Sequence, residues 1–267
     1  MSRNPTGPML EPIQYVLGAM SGALVGFSLA LVGGGGSILA VPLMVYLVGV
    51  KEPHVAIGTS ALAVAVNAAT GLANHARAGT VKWRCALTFA AAGVAGAFAG
   101  STLGKAFDGE RLLFLFALVM VAVGVMMLRR RAKGGNAEVR LDRQNAPKIV
   151  GIGLGAGAFS GFFGIGGGFL IVPGLIAATG MPMINAVGSS LVGVTAFGLT
   201  TAFNYALSGL VDWPLATAFI GGGVAGGLAG ARLARRLSGG GHLTAIFAGL
   251  IFLVAAYMLW MSGRALF

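Results

Sequence analysis

Charge is scarce in this chain. Only 9% of its 267 residues are Asp, Glu, Lys or Arg, against about a quarter in an ordinary soluble domain. So few charges cannot solvate a chain that is 57% hydrophobic, and the solvent that remains is lipid. Acids are rarer still, 7 against 18 basic residues, and none falls in the middle of a long apolar run. That removes the carboxylate relay or cation site usual in intramembrane ion pumps. The single cysteine, Cys85, excludes an intrachain disulfide and a thiolate metal cluster. The opening residues MSRNPTGPMLEP lack the basic-then-apolar order of a cleavable signal peptide, so the first apolar run is expected to stay in the mature chain. No glycine stretch ends in the GK[ST] of a phosphate loop. GLGAGA at Gly153–Ala158 sits inside an apolar run with no strand before it, which discounts a nucleotide site. Without a nucleophile–base pair or a metal-ligand cluster, neither an enzyme nor a cofactor is expected.

What is present is glycine, 46 residues of it, and a duplication. GGGGSILAVP at Gly33–Pro42 lies over GIGGGFLIVP at Gly164–Pro173, 131 residues on. At a separation of 130, AIGTS at Ala56–Ser60 lies over AVGSS at Ala186–Ser190, and Thr70 over Thr200. NHARAGTVKW at Asn74–Trp83 falls on NYALSGLVDW at Asn204–Trp213, and Gly93, Gly96 and Gly100 on Gly223, Gly226 and Gly230. The organisation read from this is an N-terminal tail (1–12), a first repeat (13–128), a basic linker (129–148) and a second repeat (149–267).

Each half reads as a glycine-broken apolar hairpin followed by three long spans. The hairpins cover Ile13–Val32 with Ser37–Val50, and Ile149–Phe163 with Gly168–Thr179. The long spans are about His54–Ala73, Cys85–Leu103 and Leu112–Leu128, then Ile184–Leu207, Pro214–Leu233 and Leu243–Met261. A hydrocarbon core of about 30 Å needs roughly 20 helical residues, which the arms after the glycines do not reach. Three basic groups sit where loops are expected. Arg77, Lys82 and Arg84 form the first, the linker the second, and Arg232, Arg235 and Arg236 the third. Cytoplasmic loops carry the excess of Lys and Arg, so all three are placed inside and both termini outside, which here means the periplasm. The net charge of +11 is thereby read as topology, not nucleic-acid binding. Three crossings and a returning hairpin invert the second half. The fold class is an all-α polytopic membrane protein of two inverted-topology repeats, with eight to ten helical segments, a plan common among secondary transporters.

Unwound backbone is tolerated in a membrane only where protein buries it or water reaches it. Helices that begin at Gly33, Gly35, Gly36 and Ser37, and at Gly164, Gly166, Gly167 and Gly168, would aim free N–H groups and positive dipole ends at one midplane cavity suited to an anion. The competing reading is that these glycines only permit tight helix crossing. Thr59, Ser60, Ser189 and Ser190 stand about a turn into the next span, where they either bind an oxyanion or bond back to their own helices. Asn67, Thr70 and Thr200 lie deeper and are candidates for a second layer around the site. Asn74 and Asn204 are candidates for the same role or for helix caps. His75 is a candidate coupling group, its ordinary pKa being near neutrality, or an idle interfacial histidine. Trp83 and Trp213 mark the membrane–water boundary.

GGGGSILAVP and GIGGGFLIVP, each followed by GTS or GSS, resemble the signature of the TauE/SafE family of sulfite exporters over nearly the whole chain. The matching positions are Gly33, Gly35, Gly36 and Pro42, with Gly164, Gly166, Gly167 and Pro173. The resemblance implies a permease of the bacterial inner membrane that moves sulfite or small organosulfonates, usually outward. The partners expected are a small anion and the lipid bilayer, not nucleic acid, with a homo-oligomer left open.

Overall fold

A computed structural model of the chain describes residues 11–129, 141–143, 145–236 and 242–266. Most of the basic linker and the N-terminal tail lie outside the described residues. Ten α-helices carry the described chain: α1 (Pro12–Val32), α2 (Ala40–Pro42), α3 (Pro53–Arg77), α4 (Trp83–Ala106), α5 (Gly109–Arg129), α6 (Ala146–Phe163), α7 (Gly168–Thr179), α8 (Met183–Ala206), α9 (Trp213–Arg236) and α10 (His242–Leu266). Helices α1, α3, α4, α6 and α8 are long and apolar enough to cross a membrane. The long helices overrun the expected spans by one to four residues at most ends. Prolines explain several starts: Pro12, Pro53, Pro147 and Pro214 sit in first turns, where the missing N–H costs nothing and φ is preset.

The two glycine clusters do not behave alike. In the second half the helix stops, and Gly164, Gly166 and Gly167 take φ of 69°, 66° and 64°, a left-handed backbone that other residues adopt only at a cost. In the first half the chain stays helical through the glycines. A 3₁₀ segment, Gly33–Leu39, leads into α2 and then a π segment, Leu43–Leu47. The expected unwinding at Gly33–Gly36 is replaced by a change of pitch, which glycines accept because no side chains eclipse in the tighter turn. The chain still doubles back. Gly36 lies against Ser28 and Leu29, whereas seven residues of straight helix would separate them by about 10 Å. Further on, Gln14 Nε2 donates to the Val48 carbonyl at 2.9 Å, so the returning arm ends beside the start of α1. The second hairpin closes the same way, with Gly174 against Ile152.

Helix directions follow from paired glycine contacts. Along α1 and α9, Gly22 abuts Phe219, Gly26 abuts Gly223, and Gly222 and Gly226 abut Ala19 and Ala23; the two helices run parallel. Along α4 and α6, Gly96 meets Leu154, Gly100 meets Ala158 and Gly104 meets Phe162, again in parallel. Helices α3 and α8 are antiparallel, pairing Gly58 with Tyr205, Ala65 with Gly198 and Gly71 with Leu191. The duplication matches α1 with α6, α3 with α8 and α4 with α9, so exchanging the halves turns the first packed pair into the second. Each of these helices runs opposite to its counterpart. As a result Arg77, Arg232, Lys82, Arg84 and Lys148 all leave the bundle at one end, while Glu52, Asp108 and Asp212 stand at the other.

A Cβ added at Gly22 or Gly222 would overlap a carbonyl oxygen of the facing helix, whereas Gly221 on the same α9 faces open space. Gly22→Ala should therefore destabilise the detergent-solubilised protein by about 1–3 kcal/mol, the usual scale for overpacking. Gly221→Ala should leave the thermal unfolding midpoint unchanged or slightly raised, by the helix preference of Ala over Gly.

Candidate functional site

The 3₁₀ segment of the first hairpin packs on α7 and α8. The second turn is wedged between α3 and α8: a side chain at Gly166 would meet Val64 and Val194 equally, each at 3.0 Å. Val64 and Val194 are counterparts in the duplication, so Gly166 sits where the two halves cross. Gly164 abuts Ile57, and Gly168 begins α7 behind Gly167. Leu170 and Ile171 N–H both donate to the Gly167 carbonyl, at 2.9 and 3.1 Å, which leaves the N–H groups of Gly168 and Phe169 without a partner inside the helix. Gly33 and Gly35 lie in the 3₁₀ segment, and Ser37 is fully buried.

The hydroxyls of the repeated GTS and GSS motifs do two different things. Ser60 and Ser190 donate back to Ile57 and Val187 carbonyls at 3.1 and 2.8 Å. Thr70 and Thr200 do likewise to Asn67 and Ala196. Thr59 and Ser189 instead accept backbone N–H groups from the opposite half, Asp212 N at 2.9 Å and Lys82 N at 2.9 Å. Asp212 and Lys82 are themselves counterparts. Each motif thus fastens the turn that precedes α9 or α4, at opposite ends of the bundle. The glycines of the motifs allow the approach: Gly58 lies against Leu210, and Gly188 against Thr80. Asn185 Nδ2 adds a bond to the Thr80 carbonyl at 2.9 Å. This cross-half latch is a role the sequence reading did not foresee for Thr59 and Ser189, because it depends on which turn lies opposite.

His75 belongs to one latch, its Nδ1 2.8 Å from Thr80 Oγ1. Asn74 is exposed beside it. Asn204 is not a helix cap. It is 5% exposed, donates from Nδ2 to Ser101 Oγ and Thr102 Oγ1 at 2.7 and 2.9 Å, and accepts Lys105 Nζ at Oδ1 at 2.9 Å. Lys105 also donates to the Asn204 carbonyl and to Ser208, neutralising the carbonyl end of α8. Trp83 and Trp213 start α4 and α9 with half-exposed rings.

Two buried polar groups near the second glycine turn have no hydrogen-bond partner among the described residues. Ser160, fully buried, lies against Gly167 with its Oγ unpaired. Asn67 lies one helical turn beyond Val64, and neither atom of its amide is paired. Sequence reasoning missed Ser160, which reads as one more small residue on a glycine-rich helix. Among the described residues no Asp, Glu, Lys or Arg is fully buried. A separate groove between α5, α6 and α7, lined by Val119, Val123, Ile152, Phe159 and Leu170 among others, offers an anion nothing to bind.

The architecture is that of a multi-pass membrane protein with buried polar groups at a central break. Residues 18–258 match the family model described as Sulfite exporter TauE/SafE, and the chain belongs to that family, a family of membrane transporters. It is 54% identical over 248 residues to a protein of Xylella fastidiosa strain Temecula1 named "Probable membrane transporter protein", covering 92% of this chain and 95% of that one. It is 27% identical over 246 residues to "Probable membrane transporter protein YunE" of Bacillus subtilis, covering 84% and 90%. No solved structure matches the chain.

Removing the Thr59 or Ser189 hydroxyl strands a loop N–H. Thr59→Val and Ser189→Ala should each cost about 1–3 kcal/mol in reversible detergent unfolding. Because the two latches lie at opposite ends, the double variant should lose the sum of the two single effects.

Proposed function

We propose that this transporter is a permease for small oxyanions, foremost sulfite or organosulfonates, exporting them across the bacterial inner membrane. The observation that carries the reading is the second glycine turn at the crossing of the halves. It has backbone N–H groups at the start of α7, unpaired neutral polar groups around it and no fully buried charge among the described residues. Donors without acids favour an anion over a cation. The sulfur assignment rests on the family description alone. A small carboxylate is the alternative cargo, and a passive anion channel the alternative mode.

In this reading the substrate site comprises Gly33, Gly35, Gly36 and Ser37 with Gly164, Gly166, Gly167 and Gly168. Thr59, Ser60, Ser189 and Ser190 frame it from the ends of α3 and α8. The opposed directions of α1 and α6, α3 and α8, and α4 and α9 support inverted repeats about an axis in the membrane plane. Such halves give alternating access by exchanging conformations. The return arms of the hairpins, pivoting at the glycines, are the moving parts, and the latches at Thr59 and Ser189 hold the scaffold at each face. The gathering of Arg77, Lys82, Arg84 and Lys148 at one end supports a cytoplasmic placement of that end. An exported anion then leaves down the potential, gaining about 2.3 kcal/mol per charge at 100 mV, enough to drive it against an opposing gradient of up to about 50-fold without a coupled ion.

The test is flux of radiolabelled sulfite, a sulfonate and an unrelated carboxylate in proteoliposomes, with and without an imposed potential. Saturable sulfite or sulfonate flux that responds to the potential is expected. Flux that never saturates would favour a channel, and a carboxylate preference would replace the cargo. Gly166→Val, which forces a β-branched side chain onto φ 66° between Val64 and Val194, should abolish flux while the protein still inserts. Normal flux in that variant would remove the glycine turn from the transport path.

A further inference from the structure

Position 67 breaks the symmetry of the bundle. The duplication pairs it with Phe197, and the two are packed alike. Phe197 lies on Gly93 of α4, and Asn67 lies on Gly223 of α9, the counterpart glycine. In the second half the niche over the glycine is filled by an aromatic ring, stacked on Phe89 at 6.1 Å between centroids. In the first half the same niche holds a carboxamide. Asn67 is 4% exposed, yet neither Nδ2 nor Oδ1 has a partner among the described residues. An unpaired buried amide carries a desolvation cost that a phenyl or leucyl side chain would avoid. Along α3 the amide stands one turn from Val64, the residue that touches Gly166.

We infer that Asn67 is the side chain that selects the transported anion, through an oxyanion that accepts a hydrogen bond from Nδ2 and donates one to Oδ1. The inference rests on the oxyanion-permease reading and narrows it. A partly protonated oxyanion such as hydrogen sulfite offers both an acceptor oxygen and an O–H. A fully ionised sulfonate offers acceptors alone and leaves Oδ1 unpaired. A site that binds by hydrogen bonds discriminates against a ligand lacking one of them. The selection is therefore one-sided: the first half reads the anion, and the equivalent niche over Gly93 in the second half is closed by the Phe197 ring.

The experiment measures KM for hydrogen sulfite and the ratio of hydrogen sulfite to methanesulfonate flux in proteoliposomes of the full chain. Two variants disable the same amide from different helices. Asn67→Leu replaces it with an apolar group of similar size. Gly223→Ala places a methyl whose nearest neighbours are the Asn67 amide atoms, pushing the amide aside. Wild-type protein should prefer hydrogen sulfite. Each variant removes both hydrogen bonds and should raise KM about a hundredfold, about tenfold for each bond, and bring the flux ratio close to one. Phe197→Leu should keep the wild-type ratio. Should Asn67→Leu fail to insert, Gly223→Ala decides the matter. Unchanged KM and ratio in the inserted variants, no preference in the wild type, or an equal loss of preference in Phe197→Leu would each overturn the inference while wild-type anion flux left the permease reading standing. No saturable anion flux in the wild type would overturn both.

Discussion

Backbone-to-backbone contact between helices from different halves is the constraint on which the structure rests. Helices α1 and α9, and α4 and α6, approach so closely that a Cβ at Gly22, Gly26, Gly96 or Gly100 would overlap a carbonyl of the facing helix. Lipid gives helices no hydrophobic reason to associate, since the tails are as apolar as leucine. Close van der Waals packing of small residues takes over that role. Each half supplies one partner to each pair, so neither half completes its own packing. The latches at Thr59 and Ser189 repeat the same exchange with hydrogen bonds.

That interlock fixes what is free to move. Helices α1, α3, α4, α6, α8 and α9 are tied across the halves by glycine seams and latches. The return arms of the two hairpins lie outside those seams. They are short, about 12 residues each, and the second follows left-handed glycines that no other residue replaces without strain. Two short arms packed on a tied frame fit the alternating-access reading proposed above. Ser160 keeps an unpaired buried hydroxyl beside the second turn, and the charges stay at the two ends.

Pseudo-symmetry is informative where it fails. Val64 and Val194, Thr59 and Ser189, and Ser60 and Ser190 are matched in both type and contact. Position 67 is matched in contact with 197 and opposed to it in chemistry. The two glycine clusters are matched in sequence and opposed in conformation, one a 3₁₀ helix and the other a left-handed turn. Such departures mark where the two copies serve different ends.

The sequence alone determined the membrane class, the duplication and the family, because hydropathy, glycine spacing and repeated motifs are properties of the chain read in order. It also located most span ends to within a few residues, since Pro53, Pro147 and Pro214 sit in first turns and Trp83 and Trp213 open their helices. The destination of the hydroxyls was not legible. Thr59 and Ser60 are neighbours of one type, yet Thr59 accepts an N–H from the other half and Ser60 bonds to its own helix, and only the facing turn separates them. Asn204 reads as a cap by its place near a helix end, but the neighbouring α4 brings Ser101, Thr102 and Lys105 to it. Asn67 reads as one polar residue in an apolar helix, and its unpaired amide exists only because Gly223 leaves room beside it. Tertiary structure decided these points because a hydrogen-bonding group is defined by what stands opposite it, and residues about a hundred positions away in sequence stand there.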